Sequence, residues 1–354
     1  MPKRVAQSVI CLGRVKLTRP VQDGHKAWVY VATRPGSHIK DPTFFSRDGH
    51  EEAASIFAVK IDFSAEKQFL KKEFTILQQL GRHANIIQMR EFCKFPWDGG
   101  DMFTGAIMPL YKSDLLQFLN KERPTRRAVA DILLQVADAL RYVHKHNIVH
   151  GDVKCENILI GRICAQSVTI KVQMQPEQTP QKRLKRRSGH AVCLADFNSA
   201  IHLADPVVDQ PLENGHTLSY CAPEFLSGHI ELISPAADIF SFGCVMHAAV
   251  HGTMVFGGQN LKLHLWEQLQ LHNTSHFPVK FCATSKARGG YISATGKVDD
   301  VCFESWHVPS VLKTIHHRMQ QVKWTCAVER QMCAIDPDRR PTWSVINTML
   351  TNML

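Results

Sequence analysis

The fold is decided by the stretch Ile148-Val149-His150-Gly151-Asp152-Val153-Lys154-Cys155-Glu156-Asn157-Ile158-Leu159. It follows an amphipathic pattern over residues 128–146, which predicts a long helix, and it ends in a short apolar run typical of a strand. Asp152, Lys154 and Asn157 lie together in the loop between these two elements. A carboxylate can accept a proton from a hydroxyl, a lysine can neutralise phosphate charge, and an amide oxygen can bind a divalent metal ion. The stretch therefore predicts a loop equipped for phosphate chemistry.

Further charged groups lie in the predicted elements on either side of this loop. Upstream, the β-prone run 56–61 contains Lys60, and the helical pattern 64–80 contains Glu73. Downstream, a short apolar run leads into Asp196, which phenylalanine and asparagine follow. Strand signals precede helix signals along the chain, and this order predicts an α+β protein.

Taken in order, these motifs resemble those of the eukaryotic-type protein kinase family. The motifs that carry the resemblance are Ala58-Val59-Lys60, the loop 150–157, Asp196-Phe197-Asn198 and Ala222-Pro223-Glu224. Each motif alone is weak, but several in the family's order are specific, and the resemblance extends from about residue 21 to residue 350. It implies a serine/threonine protein kinase that transfers the γ-phosphate of ATP to a protein hydroxyl, with Mg²⁺ as cofactor.

The resemblance also implies a two-lobed α+β fold formed by a single protein kinase domain. Residues 1–108 would form a small β-rich N-lobe with one regulatory helix, and residues 109–354 a larger helical C-lobe. Two segments of the C-lobe, near 162–190 and 275–301, are interpreted as inserted loops because they are rich in polar and basic residues.

By resemblance, the catalytic groups are assigned as follows. Asp152 would be the catalytic base, and Lys154 would neutralise charge on the γ-phosphate. Asn157 and Asp196 would hold magnesium. Thr217 resembles the threonine that contacts the base, and together with Lys154 it favours serine or threonine over tyrosine as the acceptor.

The nucleotide-binding residues follow from the same resemblance. Lys60 would hold the α- and β-phosphates, and Glu73 on the regulatory helix would be its ion-pair partner. The remaining positions would enclose the nucleotide: Gly24 in the glycine-rich loop, Val29 as the roof, Met108 at the back wall, Leu110 at the adenine edge and Leu159 as the floor.

Three further residues are assigned structural roles by the resemblance. Asp238 resembles the acid that supports the catalytic loop from below. Arg340 resembles the arginine that pairs with the glutamate of Ala-Pro-Glu, which is Glu224 here. We therefore expect a buried ion pair between Glu224 and Arg340.

The chain departs from the family pattern at three places. In the glycine-rich loop, Gln22, Gly24 and Ala27 occupy the three glycine positions, so only one glycine remains to let the backbone approach phosphate closely. Gly151 replaces the arginine that precedes the base in the family, and the loop therefore lacks that guanidinium. Asn198 replaces the glycine of Asp-Phe-Gly, and because asparagine tolerates positive φ, we expect the turn to persist.

Charge and cysteine usage limit the compartment and the partners. The chain has 354 residues, a net charge of +10 and a sequence pI of about 9.1, which suits anionic partners. Nucleic acid is not expected among them, because no basic and aromatic motif accompanies the charge. The 11 cysteines show no paired spacing, which is typical of a reducing compartment such as the cytoplasm, and the basic run Lys182–Arg187 leaves nuclear import open.

No membrane segment or metal-binding cysteine or histidine motif is predicted. The first residues show no signal-peptide pattern. The longest apolar stretch, 240–250, is too short to span a bilayer and is interpreted as a buried core helix. The histidines and cysteines have no familiar metal-ligand spacing, and His150 is interpreted as a packed core residue.

Two classes of function remain open at this point. The first is an active kinase, favoured because Lys60, Asp152, Asn157 and Asp196 are all present. The second is a pseudokinase, in which the same fold acts as a binding scaffold or as an allosteric partner. The reduced glycine-rich loop favours the second class, whereas the four retained polar groups favour the first.

Overall fold

The structure is a computed structural model that forms two compact units. The first unit comprises Met1–Ser113 and Leu159–Asn198, and the second comprises Asp114–Ile158 and Ser199–Leu354. The described residues are 10–11, 15–23, 27–33, 56–62, 69–89, 91–96, 102–162, 189–204, 218–226, 233–256, 319 and 321–354. Several predictions fall outside them, namely those on Gly24, Thr217, the run 182–187, most of the insert 162–190 and all of the insert 275–301.

A six-stranded antiparallel sheet forms the main part of the first unit, with the strand order β1-β2-β3-β4-β6-β5. Its strands are β1 (Ile10–Cys11), β2 (Val15–Asp23), β3 (Ala27–Thr33), β4 (Ile56–Asp62), β5 (Glu91–Pro96) and β6 (Met102–Met108). Valine, isoleucine and aromatic residues are frequent in the central strands, as expected for a half-buried pleated surface. The register places Lys60 between Val29 on β3 and Ala106 on β6.

Shorter strands make up two small sheets. They are β7 (Ser113–Asp114), β8 (Ile148–Val149), β9 (Ile158–Arg162), β10 (His190–Leu194) and β11 (Ile201–His202). One sheet has the order β10-β9-β7, and the other pairs β11 with β8. The strand β8 leads into the loop that contains Asp152, and β10 leads into Asp196, so both acids follow directly on short buried strands.

Helix α1 (Phe69–Leu80) belongs to the first unit and ends at Gly81, whose φ is +64°. The segment that follows α1 is bonded to β10. The Asn85 side chain donates to the carbonyl of Val192 at 2.8 Å, and Leu194 N donates to Asn85 O at 2.8 Å. Ile87 N in turn donates to Leu194 O at 2.9 Å. The end of α1 is therefore held against the strand that leads to Asp196.

Three of the six described helices of the second unit begin at polar side-chain caps. The six helices are α2 (Leu115–Glu122), α3 (Arg126–Lys145), α4 (Pro223–Leu226), α5 (Pro235–His251), α6 (Ala327–Met332) and α7 (Trp343–Asn352). The side chains of Asp114, Thr125 and Ser234 accept a backbone N–H in the first turns of α2, α3 and α5, which satisfies donors that the helix leaves unpaired. Helix α3 packs against α5 and α7, and α5 also packs against α6.

Helix α5 contains the stretch 240–250, and most of its side chains are buried, which confirms the prediction of a core helix. No helix in the described part of the chain is long and apolar enough to cross a membrane. No disulfide joins the six cysteines whose side chains the structure describes: Cys155, Cys193, Cys221, Cys244, Cys326 and Cys333. A strand-rich first unit and a helical second unit agree with the predicted α+β class, while the predicted boundary at residue 108 stays a prediction. The fold groups residues 159–198 with the first unit.

Candidate active site

In the first unit, Lys60, Glu73 and Asp196 form what we call the lysine cluster. The ammonium nitrogen of Lys60 lies 2.9 Å from Glu73 Oε2 and 2.7 Å from Asp196 Oδ1. Lys60 and Glu73 are buried, at 7% and 1% exposure, whereas the Asp196 side chain is 38% exposed. Strand β4, helix α1 and the turn that follows β10 thus bring together three groups that lie far apart in the sequence.

The charges of the lysine cluster stabilise one another. Burial alone would lower the pKa of the Lys60 ammonium group, but the carboxylates of Asp196 and Glu73 outweigh this effect and raise that pKa above its ordinary value of 10.5. The second oxygen of Glu73 accepts a hydrogen bond from Phe197 N at 3.1 Å. Glu73 therefore holds both the lysine and the backbone directly after Asp196.

The backbone at this turn corrects one prediction. Within the motif Asp196-Phe197-Asn198, Asp196 has a positive φ of +65°, whereas Asn198 does not have a positive φ. Asn198 instead lies in a 3-10 turn at Phe197–Ser199. The expected turn is present, but the reason given for it does not apply: the positive φ belongs to the acid itself, one of the residue types that adopt it most readily.

In the second unit, Asp152, Lys154 and Asn157 form what we call the catalytic-loop cluster. The Asn157 amide nitrogen donates to the Asp152 carbonyl at 2.8 Å and to its Oδ2 at 3.0 Å. The ammonium group of Lys154 lies 2.6 Å from the same Oδ2. The Asp152 side chain is 9% exposed, so it is held in a fixed position close to the surface. The three residues that the sequence predicted in one loop do contact one another.

Asp238 on α5 supports this loop through its backbone. Its Oδ2 accepts from His150 N at 2.8 Å, and its Oδ1 accepts from Gly151 N at 3.0 Å. Burial alone would raise the pKa of Asp238, but the hydrogen bond from His144 and the neighbouring His150 and Gly151 hold that pKa below its ordinary value of 3.8. The buried carboxylate is thus ionised and fixes the two residues that precede Asp152, as the resemblance implied.

A further pair of residues, which sequence reasoning missed, fixes Asp238 itself. His144 Nε2 lies 2.8 Å from Asp238 Oδ2, and Trp343 Nε1 donates to His144 Nδ1 at 2.8 Å. An indole N–H can only donate, so His144 Nδ1 accepts and its Nε2 carries the proton that is donated to Asp238. Residues 343 and 144 are far apart in the chain, and no short motif joins them.

Gly151 has a conformation that other residues rarely adopt. Its φ is +78°, and a Cβ atom at this position would lie 2.6 Å from the carbonyl oxygen of Ser199. Glycine has no Cβ, so it meets neither the strain nor the clash. The replacement of the family's arginine by glycine therefore removes a side chain and also relaxes the backbone next to Asp152.

The predicted nucleotide-enclosing residues that the structure describes all belong to the first unit. Val29 is half-buried on β3, Met108 is buried at the end of β6, and Leu110 is half-buried just beyond that strand. Leu159 is half-buried on β9. Their roles, like those of Gly24 and Thr217 outside the described residues, stay predictions.

The predicted ion pair between Glu224 and Arg340 is confirmed. Arg340 Nη2 lies 2.8 Å from Glu224 Oε2, and both side chains are fully buried. The guanidinium also donates to the carbonyls of Ala236, Ala334 and Ile335 and lies 5.0 Å from the centre of the Phe240 ring. A buried charge with this many partners anchors the start of α4 within the second unit.

The donors of the two clusters suit a divalent metal ion. Asp196 engages Lys60 through one oxygen, yet its side chain is exposed enough to meet a hydrated cation. Asn157 uses its amide nitrogen on Asp152, so a cation would bind its amide oxygen. Carboxylate and amide oxygens are the ligands that Mg²⁺ accepts, so each of these two residues is chemically suited to bind it.

Comparison with known proteins identifies the family. The chain matches the protein kinase domain over residues 47–350. It is 26% identical over 285 residues to the probable CTD kinase subunit alpha homolog of Encephalitozoon cuniculi, which covers 79% of this chain and 72% of that protein.

Two other relatives are matched over about half of their length. Serine/threonine-protein kinase PKZ1 of Phytophthora infestans is 27% identical over 213 residues, 58% of this chain and 49% of that protein. Serine/threonine-protein kinase ULK3 of Xenopus laevis is 27% identical over 269 residues, 75% of this chain and 47% of that protein. The domain match confirms the predicted two-lobed α+β fold and implies the use of ATP, a divalent metal and protein substrates. Since that match extends over most of the chain, the chain belongs to the protein kinase family.

Proposed function

We propose that this protein is an active serine/threonine protein kinase in which Asp152 is the catalytic base. The observation that carries the proposal is the catalytic-loop cluster: Lys154 and Asn157 both contact Oδ2 of Asp152. With that oxygen engaged, Oδ1 is the atom that accepts the proton from a substrate hydroxyl. A base fixed in this way needs little reorganisation when the proton is transferred.

The lysine cluster supplies the electrostatic part of the proposal. Lys60 keeps its charge because two carboxylates surround it, and that charge stabilises the α- and β-phosphates of ATP. Asp196 and Asn157 each carry an oxygen suited to Mg²⁺, which would supply neutralisation of phosphate charge. Lys154 then compensates charge at the γ-phosphate while it keeps Asp152 oriented.

Serine or threonine as the acceptor rests on two supports. Lys154 follows Asp152 at the spacing typical of serine/threonine kinases, and two of the relatives above are named serine/threonine-protein kinases. Thr217, which points the same way by resemblance, lies outside the described residues.

The test is phosphate transfer from γ-labelled ATP to a generic basic protein by the full chain and by Asp152→Asn. Loss of the base should lower turnover by about 10²- to 10⁴-fold and leave Mg-ATP binding, measured by thermal shift, nearly unchanged. Asp138→Asn, an exposed change on α3, is the matched control and should keep wild-type turnover. Equal turnover in wild type and Asp152→Asn would show that Asp152 is not the base.

The pseudokinase is the second candidate, and one observation favours it. Only Gly24 remains of the three glycines whose backbone would approach the phosphates. If the protein is a scaffold, wild type and Asp152→Asn should bind Mg-ATP equally and neither should transfer phosphate. The same pair of variants therefore separates the two candidates.

A further inference from the structure

A second group of polar side chains lies in the second unit, where the end of α5 meets the start of α6. Glu329 on α6 is fully buried, and its Oε1 lies 3.1 Å from His247 Nδ1 and 3.5 Å from His251 Nε2. Its other oxygen accepts the backbone N–H of Thr325. None of these residues belongs to the lysine cluster or to the catalytic-loop cluster.

The two histidines are arranged as a pair of ligands. They stand four residues apart on α5 and therefore share one face of the helix, with ring centres 4.4 Å apart. Both lie in its last two turns, where the carbonyl ends of the helix favour positive charge. His247 is buried and the His251 side chain is 22% exposed, so solvent reaches the group from one side only.

The charge of Glu329 has few partners. Within the part of the chain that the structure describes, its carboxylate contacts two imidazoles and the backbone and side chain of Thr325, and no lysine or arginine pairs with it. A buried carboxylate is retained in proteins when a positive group or a metal ion compensates its charge. A cation between the two rings and the carboxylate would provide that charge.

We propose that His247, His251 and Glu329 bind a divalent transition-metal ion of the zinc type. Two imidazole nitrogens and one carboxylate oxygen form a known ligand set for zinc, with a fourth position for water. The three ligand atoms lie within 4.8 Å of one another. Ligands in a tetrahedral zinc site stand about 3.3 Å apart, because each lies about 2.0–2.2 Å from the ion. Small side-chain shifts are therefore enough to close the site.

The site would join the end of α5 to α6 and so stabilise the second unit. Thr325 supports one of the ligands, since its backbone N–H bonds to Glu329, and its hydroxyl, 3.2 Å from His251 Nε2, would give up that contact to the ion. Groups that orient metal ligands from behind are a regular feature of such sites. No sequence motif indicates the site, because Glu329 lies 82 positions from His247 and only folding brings them together.

The experiment uses the full chain, freed of metal with a chelator and titrated calorimetrically with Zn²⁺ alone. Wild type should bind one equivalent and melt at a higher temperature with Zn²⁺ than without it. His251→Gln should weaken that binding by about 10- to 100-fold or more and abolish the thermal shift. His146→Gln, which changes the histidine that caps the end of α3 and lies outside the group, is the matched control and should bind as wild type does.

A second measurement identifies the ligands directly. Co²⁺ in the zinc site should give wild type a visible absorption band of tetrahedral nitrogen and oxygen coordination, and both His251→Gln and Glu329→Gln should lose it. If Glu329→Gln does not fold, the His251→Gln comparison still decides the result.

Three outcomes would overturn the proposal. Wild type and His251→Gln could bind Zn²⁺ equally, wild type could show no saturable binding, or the Co²⁺ spectrum could show thiolate ligation. The second outcome would mean that Glu329 is stabilised by its hydrogen bonds to His247 and Thr325 without a metal ion.

Discussion

The lysine cluster and the catalytic-loop cluster are held in place by different means. In the lysine cluster, the functional groups hold one another directly through ion pairs that join positions 13 and 136 residues apart. In the catalytic-loop cluster, the three side chains are sequence neighbours, and the distant contact is made by Asp238 to the backbone of His150 and Gly151. The first cluster thus depends on its own charges, and the second depends on a buried support beneath it.

The difference has a consequence for substitutions. Removing a charge from the lysine cluster removes function and stability together, because the same atoms provide both. In the second unit, the support can be weakened at Asp238 or Trp343 without touching Asp152, Lys154 or Asn157. The two regions should therefore respond differently to matched changes.

The largest effect is expected from Lys60→Met. This change leaves Glu73 buried without its opposite charge, and breaking a buried ion pair on one side typically costs about 3–5 kcal/mol. The free energy of unfolding of the full chain, measured by denaturant titration, should fall by that order. Asp196→Asn changes another member of the same cluster and is compared with Lys60→Met. Because the Asp196 side chain is 38% exposed, this change should lower the free energy of unfolding by less than about 1 kcal/mol. If Lys60→Met and Asp196→Asn lowered the free energy of unfolding equally, burial of the Lys60–Glu73 pair would not be what stabilises this cluster.

Asp238→Asn should have the next largest effect. The change removes a buried carboxylate that accepts three hydrogen bonds, and bonds to charged groups contribute about 1.5–3 kcal/mol each. We expect a loss of about 2–3 kcal/mol and slower turnover with little change in the KM for ATP. A rise in that KM with turnover unchanged would show that the support acts on the nucleotide instead.

The same variant carries a pH signature. Because the folded pKa of Asp238 is depressed, its contribution to stability is fully present above its ordinary value of 3.8 and is lost as the pH falls through the folded pKa. Melting temperatures measured from neutral pH down to below that value should fall less steeply in Asp238→Asn than in wild type.

Gly151→Ala should cost more than Gly81→Ala. Both glycines have positive φ, +78° and +64°, so both changes incur the left-handed strain of about 1–2 kcal/mol. Only at Gly151 does the added Cβ meet another atom, the Ser199 carbonyl oxygen, while nothing lies within 4 Å at Gly81. The difference in unfolding free energy should exceed about 1 kcal/mol, and equal costs would mean that the loop moves aside freely.

Trp343→Phe should have the smallest effect. It keeps an aromatic ring but removes the indole N–H that donates to His144, a neutral hydrogen bond whose net contribution is about 0.5–1.5 kcal/mol. A double-mutant cycle with His144→Phe isolates this bond, and we expect a coupling energy within that range. A coupling of zero would show that Trp343 stabilises α7 by packing alone.

The sequence predicted the groups that perform chemistry better than the groups that support them. Lys60, Glu73 and Asp196 could be placed because each stands within a short motif whose order is specific. The Trp343–His144 bond could not be predicted, since it joins residues from two helices that only the packing of α3 against α7 brings together.

Conformation was also harder to predict than identity. Asparagine at position 198 suggested positive φ there, yet in the structure Asp196 has the positive φ. The residue type at one position does not determine the backbone conformation two positions away. For Gly151, the sequence showed that a guanidinium is absent, but only the position of the Ser199 carbonyl shows why a side chain would not fit.

The hydrogen bonds that join residues 85–87 to β10 hold the C-terminal end of α1 in place. That end of the helix is Leu80, and at the rise of an α-helix Glu73 stands about 10 Å from it along the axis. A swing of roughly 10° would carry Glu73 by about 2 Å, enough to break its contact with Lys60, while β10 and Asp196 would stay in place. The Lys60–Glu73 contact therefore depends on the angle of α1, which the hydrogen bond from Leu70 N to the Asp62 side chain at 3.3 Å also restrains.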